Sequence, residues 1–133
     1  MKKAIIISGS IILAVLVLFF LLYFILTTPK DMGDFSVDEF AEHIQNEHFQ
    51  TDKNYGKITD YKSAAAAGKA AISDRFENSE GSLFEWRGCS VKYDKVSDSY
   101  YVRTYHLIPM MFGGAYDVIL QSDGTVLAIW GEK

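Results

Sequence analysis

The run AIIISGSIILAVLVLFFLLYFIL, from Ala4 to Leu26, has 23 residues without a charge and decides where the rest of the chain lies. As a helix rising about 1.5 Å per residue it is about 34 Å long, and the hydrocarbon core of a bilayer is about 30 Å thick. A helix also satisfies its own backbone polar groups there. The alternative is a buried core helix, but a chain of 133 residues is too small to cover one on all sides. We therefore predict a membrane-spanning helix over 4–26, within an N-terminal unit of residues 1–28.

This helix is predicted to be an uncleaved signal anchor. A signal peptide has an apolar region of about 7–15 residues followed by a cleavage site of small residues. The run here is longer and ends in YFILTTP, which has no such site. Lys2 and Lys3 precede the span and only Lys30 follows it closely, and cations favour the cytoplasmic side. We expect a single-pass protein of the cell membrane, with a cytoplasmic N-terminus and residues 30–133 outside.

The outer part of the chain is acidic and fits one domain. Two of the 13 basic residues precede the span, which leaves 11 against 17 acids, a net charge of −6. This balance argues against nucleic acid or an anionic membrane surface as a ligand and fits a basic partner. The single cysteine, Cys89, excludes an internal disulfide and a cysteine-based zinc site.

Two helices are predicted after the anchor. Thr28-Pro29 ends the membrane helix, and residues 29–35 read as a short tether. Ser36, with Glu39 three residues later, has the spacing of a capping box and begins a helix that ends near residue 48. A second helix, capped by residue 59 or 60, covers 61–76 and is rich in alanine. Its small side chains would let it pack close to a sheet.

From residue 83 the apolar pattern changes to a period of two, which indicates strands. Strands are predicted near 91–96, 100–108, 115–121 and 125–130, the last two joined by a tight turn at Asp123-Gly124. The strand 100–108 has large apolar side chains on both faces, so we expect it to be central. The predicted fold is α+β: one domain, 36–133, with two helices on one face of a curved antiparallel sheet of about four strands.

No catalytic or metal-binding set is evident in the sequence. His43 and His48 are five residues apart, which is not the spacing of a zinc-binding helix. A buried pair of His106 and Asp117 acting as a general base is one alternative, in an enzyme with a cone-shaped sheet. Cys89 is expected to be a small core residue. We therefore expect a protein that is not an enzyme and needs neither cofactor nor metal.

The C-terminal part resembles a known family. An alanine-rich helix, AAAAGKAAI at 64–72, precedes the strand segments VKY at 91–93 and YYVRT at 100–104. The segments GGAYDVI at 113–119 and DGTVLAI at 123–129 follow. This order over 60–133 is similar to bacterial immunity proteins of polymorphic toxin systems, which have a nuclear-transport-factor-2-like fold. The resemblance implies that the chain neutralises a cognate protein toxin by tight binding, without catalysis.

Aromatic, methionine and arginine side chains are the candidates for contacting such a partner, because these residue types anchor protein interfaces. Gly113, Gly114 and Gly124 are read as structural turn residues. A PepSY-like module outside the membrane, which binds peptides or peptidases, is the second interpretation of the same helix-and-meander order. The candidate partner-binding residues are Trp86, Tyr101, Arg103, Tyr105, Met110, Met111 and Phe112.

Overall fold

A computed structural model describes residues 2–46, 53–76, 87–107 and 114–132. They form an α+β fold with an N-terminal apolar helix, as predicted. In chain order the elements are α1 (Lys2–Thr27), β1 (Lys30–Asp34), a 3-10 helix (Val37–Phe40), α2 (Ala41–Asn46), α3 (Tyr61–Arg75), β2 (Arg87–Asp94), β3 (Ser99–His106), β4 (Tyr116–Gln121) and β5 (Val126–Gly131).

Helix α1 ends just before Thr28-Pro29, where proline was expected to end it. Its segment Ile6–Thr27 has 22 residues with a mean hydropathy of 2.9, and none of its most apolar stretch is buried inside the protein. The few polar side chains are satisfied locally: the hydroxyls of Ser10 and Thr27 donate to carbonyl oxygens four residues earlier, at 3.0 and 2.7 Å. The helix is therefore long and apolar enough to cross a membrane.

The five strands form one mixed sheet in the order β1-β2-β3-β4-β5. Strands β2 to β5 make an antiparallel meander, and β1 pairs with β2 in parallel. The prediction of about four antiparallel strands is corrected by β1, which lies in the segment 29–35 that was read as a free tether. Its sequence, KDMGD, shows no strand alternation and all five residues are exposed, so its strand structure depends on pairing with β2.

Helix α3 covers one face of the sheet. Asp60 caps it in a reciprocal capping box with Ser63, and its alanines pack on the sheet as predicted. The contact is closest at Gly68, where a methyl group would lie 2.7 Å from Cβ and Cγ1 of Val102 in β3. No carbon atom fits at that distance, so glycine is needed for α3 to lie this close to the sheet.

The 3-10 helix and α2 cover the opposite face, which corrects the prediction of two helices on one face. Phe35 and Phe40, 6.0 Å apart, pack with Tyr101 and Trp130 in a second cluster. Both faces of the central strand are apolar, so each needs its own helical layer. The predicted capping box at Ser36 is absent: the Ser36 side chain makes no capping bond.

A distant aspartate caps the 3-10 helix instead. Asp94, at the end of β2, accepts the backbone N–H of Val37 at 3.0 Å and the Ser97 hydroxyl at 2.8 Å. Its other oxygen accepts the N–H of Val96 at 2.9 Å. These bonds tie the second helical layer to the β2–β3 turn.

The segment 53–60 lies along the β4–β5 turn. The N–H groups of Tyr55 and Ile58 donate to the carbonyls of Gly124 and Ser122, at 3.1 and 2.7 Å. Gly124 lies in the β4–β5 turn with a φ of +91°, a conformation that glycine adopts readily. The segment 53–60 therefore holds the hairpin in place.

We predict that Gly68→Ala destabilises the protein, although alanine favours a helix by about 1 kcal/mol over glycine. Overpacking against Val102 costs about 1–3 kcal/mol, so the expected net loss is up to about 2 kcal/mol. Urea unfolding of the full-length protein in detergent, followed by tryptophan fluorescence, measures it. Ala66→Gly, at an exposed position of the same helix, is the control and should cost about 1 kcal/mol by propensity alone. A Gly68→Ala protein more stable than wild type would contradict the close contact.

Candidate functional site

Three of the predicted partner-binding residues, Tyr101, Arg103 and Tyr105, lie within the described residues, and alternation puts them on the same face of β3. Of the predicted turn glycines, Gly114 and Gly124 are described, and Gly114 is half-buried two residues before β4. The other predicted positions fall outside the described residues: Trp86, Met110, Met111, Phe112 and Gly113.

Tyr101 belongs to the core of the second helical layer. It is only 7% exposed, and its ring lies 4.8 Å from that of Phe40 and 5.6 Å from that of Phe35. Trp130 of β5 stacks nearby with a ring distance of 6.2 Å. The side chain therefore holds the 3-10 helix on the sheet and is not exposed to a partner.

A chain of polar contacts runs from Tyr101 to the surface. The Tyr101 hydroxyl donates to Oδ1 of Asp117 at 2.6 Å, and Nη1 of Arg103 lies 3.6 Å from the same oxygen. Arg103 also forms an ion pair with Glu132, at 2.5 Å. Asp117 is fully buried, and its second oxygen, Oδ2, has no hydrogen-bond partner among the described residues. Arg103 is therefore engaged with two carboxylates, so a partner would have to compete for it.

The two central groups of this chain resist ionisation. Burial raises the pKa of Asp117 above its usual value, against the opposing effects of the Tyr101 hydrogen bond and the Arg103 charge. Burial and the bond to Asp117 raise the pKa of Tyr101 as well. Sequence reasoning missed the connection because β3 and β4 must first be placed in register, which sets Arg103 opposite Asp117.

Tyr105 lies against the neighbouring strand. It pairs with Gly88 of β2, and its ring occupies the space that a side chain at Gly88 would need. The ring is half-buried there. Tyr105 is thus less buried than Tyr101, although it too is packed on the sheet.

His43 makes a contact that was not predicted. Its ring stacks on the indole of Trp130, with centroids 4.2 Å apart and planes 9° apart. Its position three residues after Phe40 puts it on the same helical face, and that spacing could have indicated the contact.

The proposed pair of His106 and Asp117 is separated by the sheet. Asp117 pairs directly with Arg103, and His106 is three residues further along β3, so the two side chains lie on opposite faces. His106 instead lies beside Arg87, with Nε2 3.1 Å from Nη2. A general base made of these two residues is excluded by this geometry.

The described residues form neither a metal site nor a reactive thiol. Among those described, no three His, Cys, Asp or Glu side chains lie close enough to hold a metal ion. Cys89 is 1% exposed, and burial raises the pKa of its thiol, which confirms it as a core residue.

One surface stands out by its charge. Exposed carboxylates follow β1 and continue onto the 3-10 helix and α2, which together we call the acidic edge. β1 is the last strand on its side of the sheet, so within the described residues its outer backbone groups have no neighbouring strand. The carboxylates of the acidic edge are Asp31, Asp34, Asp38, Glu39 and Glu42.

We predict opposite pH dependences for two buried aspartates. The folded-state pKa of Asp117 is raised, so its contribution to stability is complete below the unfolded pKa of about 3.9 and is lost as pH rises. The pKa of Asp94 is lowered, chiefly by the Val37 N–H and the Ser97 hydroxyl, so its contribution is lost as pH falls.

Thermal unfolding of full-length Asp117→Asn and Asp94→Asn proteins between about pH 2 and 8 checks this, because that range covers the titration of both carboxyl groups. The melting temperature of Asp117→Asn relative to wild type should increase with pH, and that of Asp94→Asn should decrease. The same direction of change in both variants would contradict the assignment.

Comparisons with known proteins complete the description of this site. A scan against protein-family models, a search of curated proteins and a search of solved structures each returned no match for this chain. Proposals about its function therefore rest on the geometry and charge of the described residues.

Proposed function

We propose that the chain is a membrane-anchored immunity protein, which neutralises a cognate protein toxin by direct binding and without catalysis. On this proposal α1 spans the cell membrane with its N-terminus in the cytoplasm, and the domain lies outside. The exposure of α1 supports the anchor, because large apolar side chains such as Leu18 and Phe24, each 68% exposed, need a lipid environment.

The observation that carries the binding proposal is the acidic edge. A strand with one unpaired side can accept a further strand from a partner through backbone hydrogen bonds. Carboxylates around that strand attract a basic partner and orient it. The two features occur together on β1 and the helices that follow it.

The position of β1 indicates where on the protein a partner would bind. Helix α1 ends at Thr27 and β1 begins at Lys30. Three residues span at most about 10 Å, so the open strand lies next to the end of the helix. A partner bound there is held at the membrane, where anchoring raises the effective concentration of the inhibitor.

The nuclear-transport-factor-2-like fold is part of this proposal and is supported by element order alone. An alanine-rich helix followed by an antiparallel meander, α3-β2-β3-β4-β5, is the order that the resemblance implies. The second helical layer and the parallel strand β1 are additions to it. Binding at the acidic edge does not depend on this assignment.

We predict that removing three charges from the acidic edge weakens protection. The triple variant Asp38→Asn, Glu39→Gln, Glu42→Gln should reduce survival at least about tenfold, because each rim charge contributes up to about 1 kcal/mol and steers association. The test co-expresses the full-length chain with the product of the adjacent reading frame, measures survival, and measures binding of the purified proteins at low and high salt.

Asp123→Asn is the matched control. Asp123 is exposed at the β4–β5 turn, on the other side of the sheet, and asparagine retains the acceptor for Thr125 N–H. This variant should protect like wild type. Equal protection and affinity for the triple variant would refute the acidic edge as the binding surface.

We also predict that protection depends on anchoring the domain at the membrane. A chain lacking residues 1–28 keeps every strand, since β1 begins at Lys30. Expressed in the cytoplasm, it should protect at least about tenfold less than the full chain, because the gain in effective concentration is lost. Equal protection, with equal protein levels on a blot, would show that the partner does not act at the outer face.

A further inference from the structure

The outward face of α3 is basic. Lys62 and Lys69 are seven residues apart, so they lie on the same side of the helix, and both are exposed. Within the described residues neither forms an ion pair, and the carboxylate of Asp60 accepts the Ser63 N–H at 2.7 Å. The exposed Ala66 lies between the two lysines on this side, so a second surface can approach the helix closely.

The opposite face of the sheet carries acids. Asp38, Glu39 and Glu42, on the 3-10 helix and α2, are exposed, and none of them forms an ion pair with another described residue. Two copies that met through the same face would bring like charges together. The basic face of one copy meets the acidic face of another in a heterologous contact, in which the copies stand side by side in the same orientation.

Charges on the two faces lie at matching levels along the sheet. The contact of Gly68 with Val102 provides a reference level. Lys62 precedes Gly68 by six residues, about 9 Å along the helix. Asp94 lies opposite a position three residues before Val102, about 10 Å along β3, and it caps the 3-10 helix, which carries Asp38. Lys62 and Asp38 are therefore at about the same level, on opposite faces.

A second pair of charges lies closer to α1. Helix α3 and β3 both run towards α1, since Lys69 and Thr104 line a cavity together with its last turns. Lys69 is one residue past the reference level, about 1.5 Å. His43 stacks on Trp130, whose row in the sheet is also one residue past it, about 3 Å. Glu42, next to His43, is therefore at about the level of Lys69.

We propose that the chain associates side by side with further copies of itself in the membrane. The basic face of α3 in one copy lies against the 3-10 helix and α2 of the next, where Lys62 pairs with Asp38 and Lys69 with Glu42. Because α1 holds every copy at the same height and in the same orientation, both pairs are in register without a change of shape. The contact is heterologous, so it forms a ring or an open row.

Confinement to the membrane makes such weak contacts sufficient. Exposed ion pairs are individually weak, and the net charge of −6 outside the span opposes association. The paired charges act at contact, inside the Debye length of about 8 Å at physiological ionic strength, whereas repulsion over longer distances is screened. Anchoring also raises the effective concentration of one copy beside another. The association is therefore expected in a bilayer rather than in dilute detergent.

Self-association regulates the proposed binding surface. Asp38 and Glu42 belong to the acidic edge, so a basic partner has to displace the lysines of the neighbouring copy. The inference depends on the proposed membrane anchor and not on the identity of the partner.

The test measures energy transfer between full-length proteins in phosphatidylcholine vesicles. Donor or acceptor dyes are attached at the N-terminus, across the membrane from the domain, and transfer is compared with that of randomly placed molecules at the same density. Lys62→Glu with Lys69→Glu reverses the basic face, and Asp38→Lys with Glu42→Lys reverses the acidic face. A chain with all four changes has opposite charges on its two faces again.

The control is the double variant Lys57→Glu, Lys95→Glu. It changes the net charge as much as the basic-face variant does, at exposed positions of the segment 53–60 and the β2–β3 turn. It should associate like wild type, since neither lysine lies on α3.

Wild type should show transfer above the random level, and added salt should reduce it. Each reversed face should lower the excess at least about fivefold, because attraction becomes repulsion at two positions, and the chain with all four changes should regain it. Equal excess in wild type and the reversed variants would overturn the proposal. So would a four-change chain that melts like wild type but does not associate.

Alkaline extraction of the vesicles checks the anchor separately. Protein released by this treatment would overturn the anchor and, with it, the side-by-side arrangement. Protein that stays in the bilayer but shows only random transfer would overturn self-association alone.

Discussion

The fold depends on burying both faces of β3, the middle strand of the sheet. Val102 points to one face and Tyr101 to the other, so a single helical layer leaves one large side chain in water. Val102 is buried by the close approach of α3, whose Gly68 lies directly above it. Tyr101 is buried by aromatic rings from residues 35–40 and β5. Covering the second face draws the segment after α1 into the domain, and β1 pairs with β2 as part of the same arrangement.

Burying the carboxylate of Asp117 under this second helical layer opposes folding. Removing a charge from water is unfavourable unless hydrogen bonds and a counter-charge replace the lost solvation. Tyr101 and Arg103 supply these on one oxygen only. The polar chain also joins β3, β4 and Glu132 at the end of β5. Replacing buried charged groups with apolar ones is often neutral or stabilising. The polar chain therefore serves to fix the position of the aromatic layer over the sheet.

What the sequence predicted well is local. A cap at residue 59 or 60, the small face of α3 and the Asp123-Gly124 turn each depend on residues a few positions apart. The structure has the small face and the turn, and it assigns the cap to Asp60. The cap of the 3-10 helix comes from Asp94, 57 residues from Val37, so no local pattern indicates it. The strand KDMGD carries no apolar alternation and forms only because β2 is beside it. Once the β3–β4 register is known, strand alternation places His106 and Asp117 on opposite faces of the sheet. A single sequence does not reveal that register.

The acidic charge of the domain is placed on one side of the sheet. The part of the chain after α1 has a net charge of −6, which argues against adsorption to an anionic surface because long-range repulsion acts on the whole domain. The carboxylates of Asp38, Glu39 and Glu42 lie beyond β1, on the 3-10 helix and α2, which cover the face opposite α3. On the proposed function, the domain presents these acids to a basic protein on the side of the sheet away from α3.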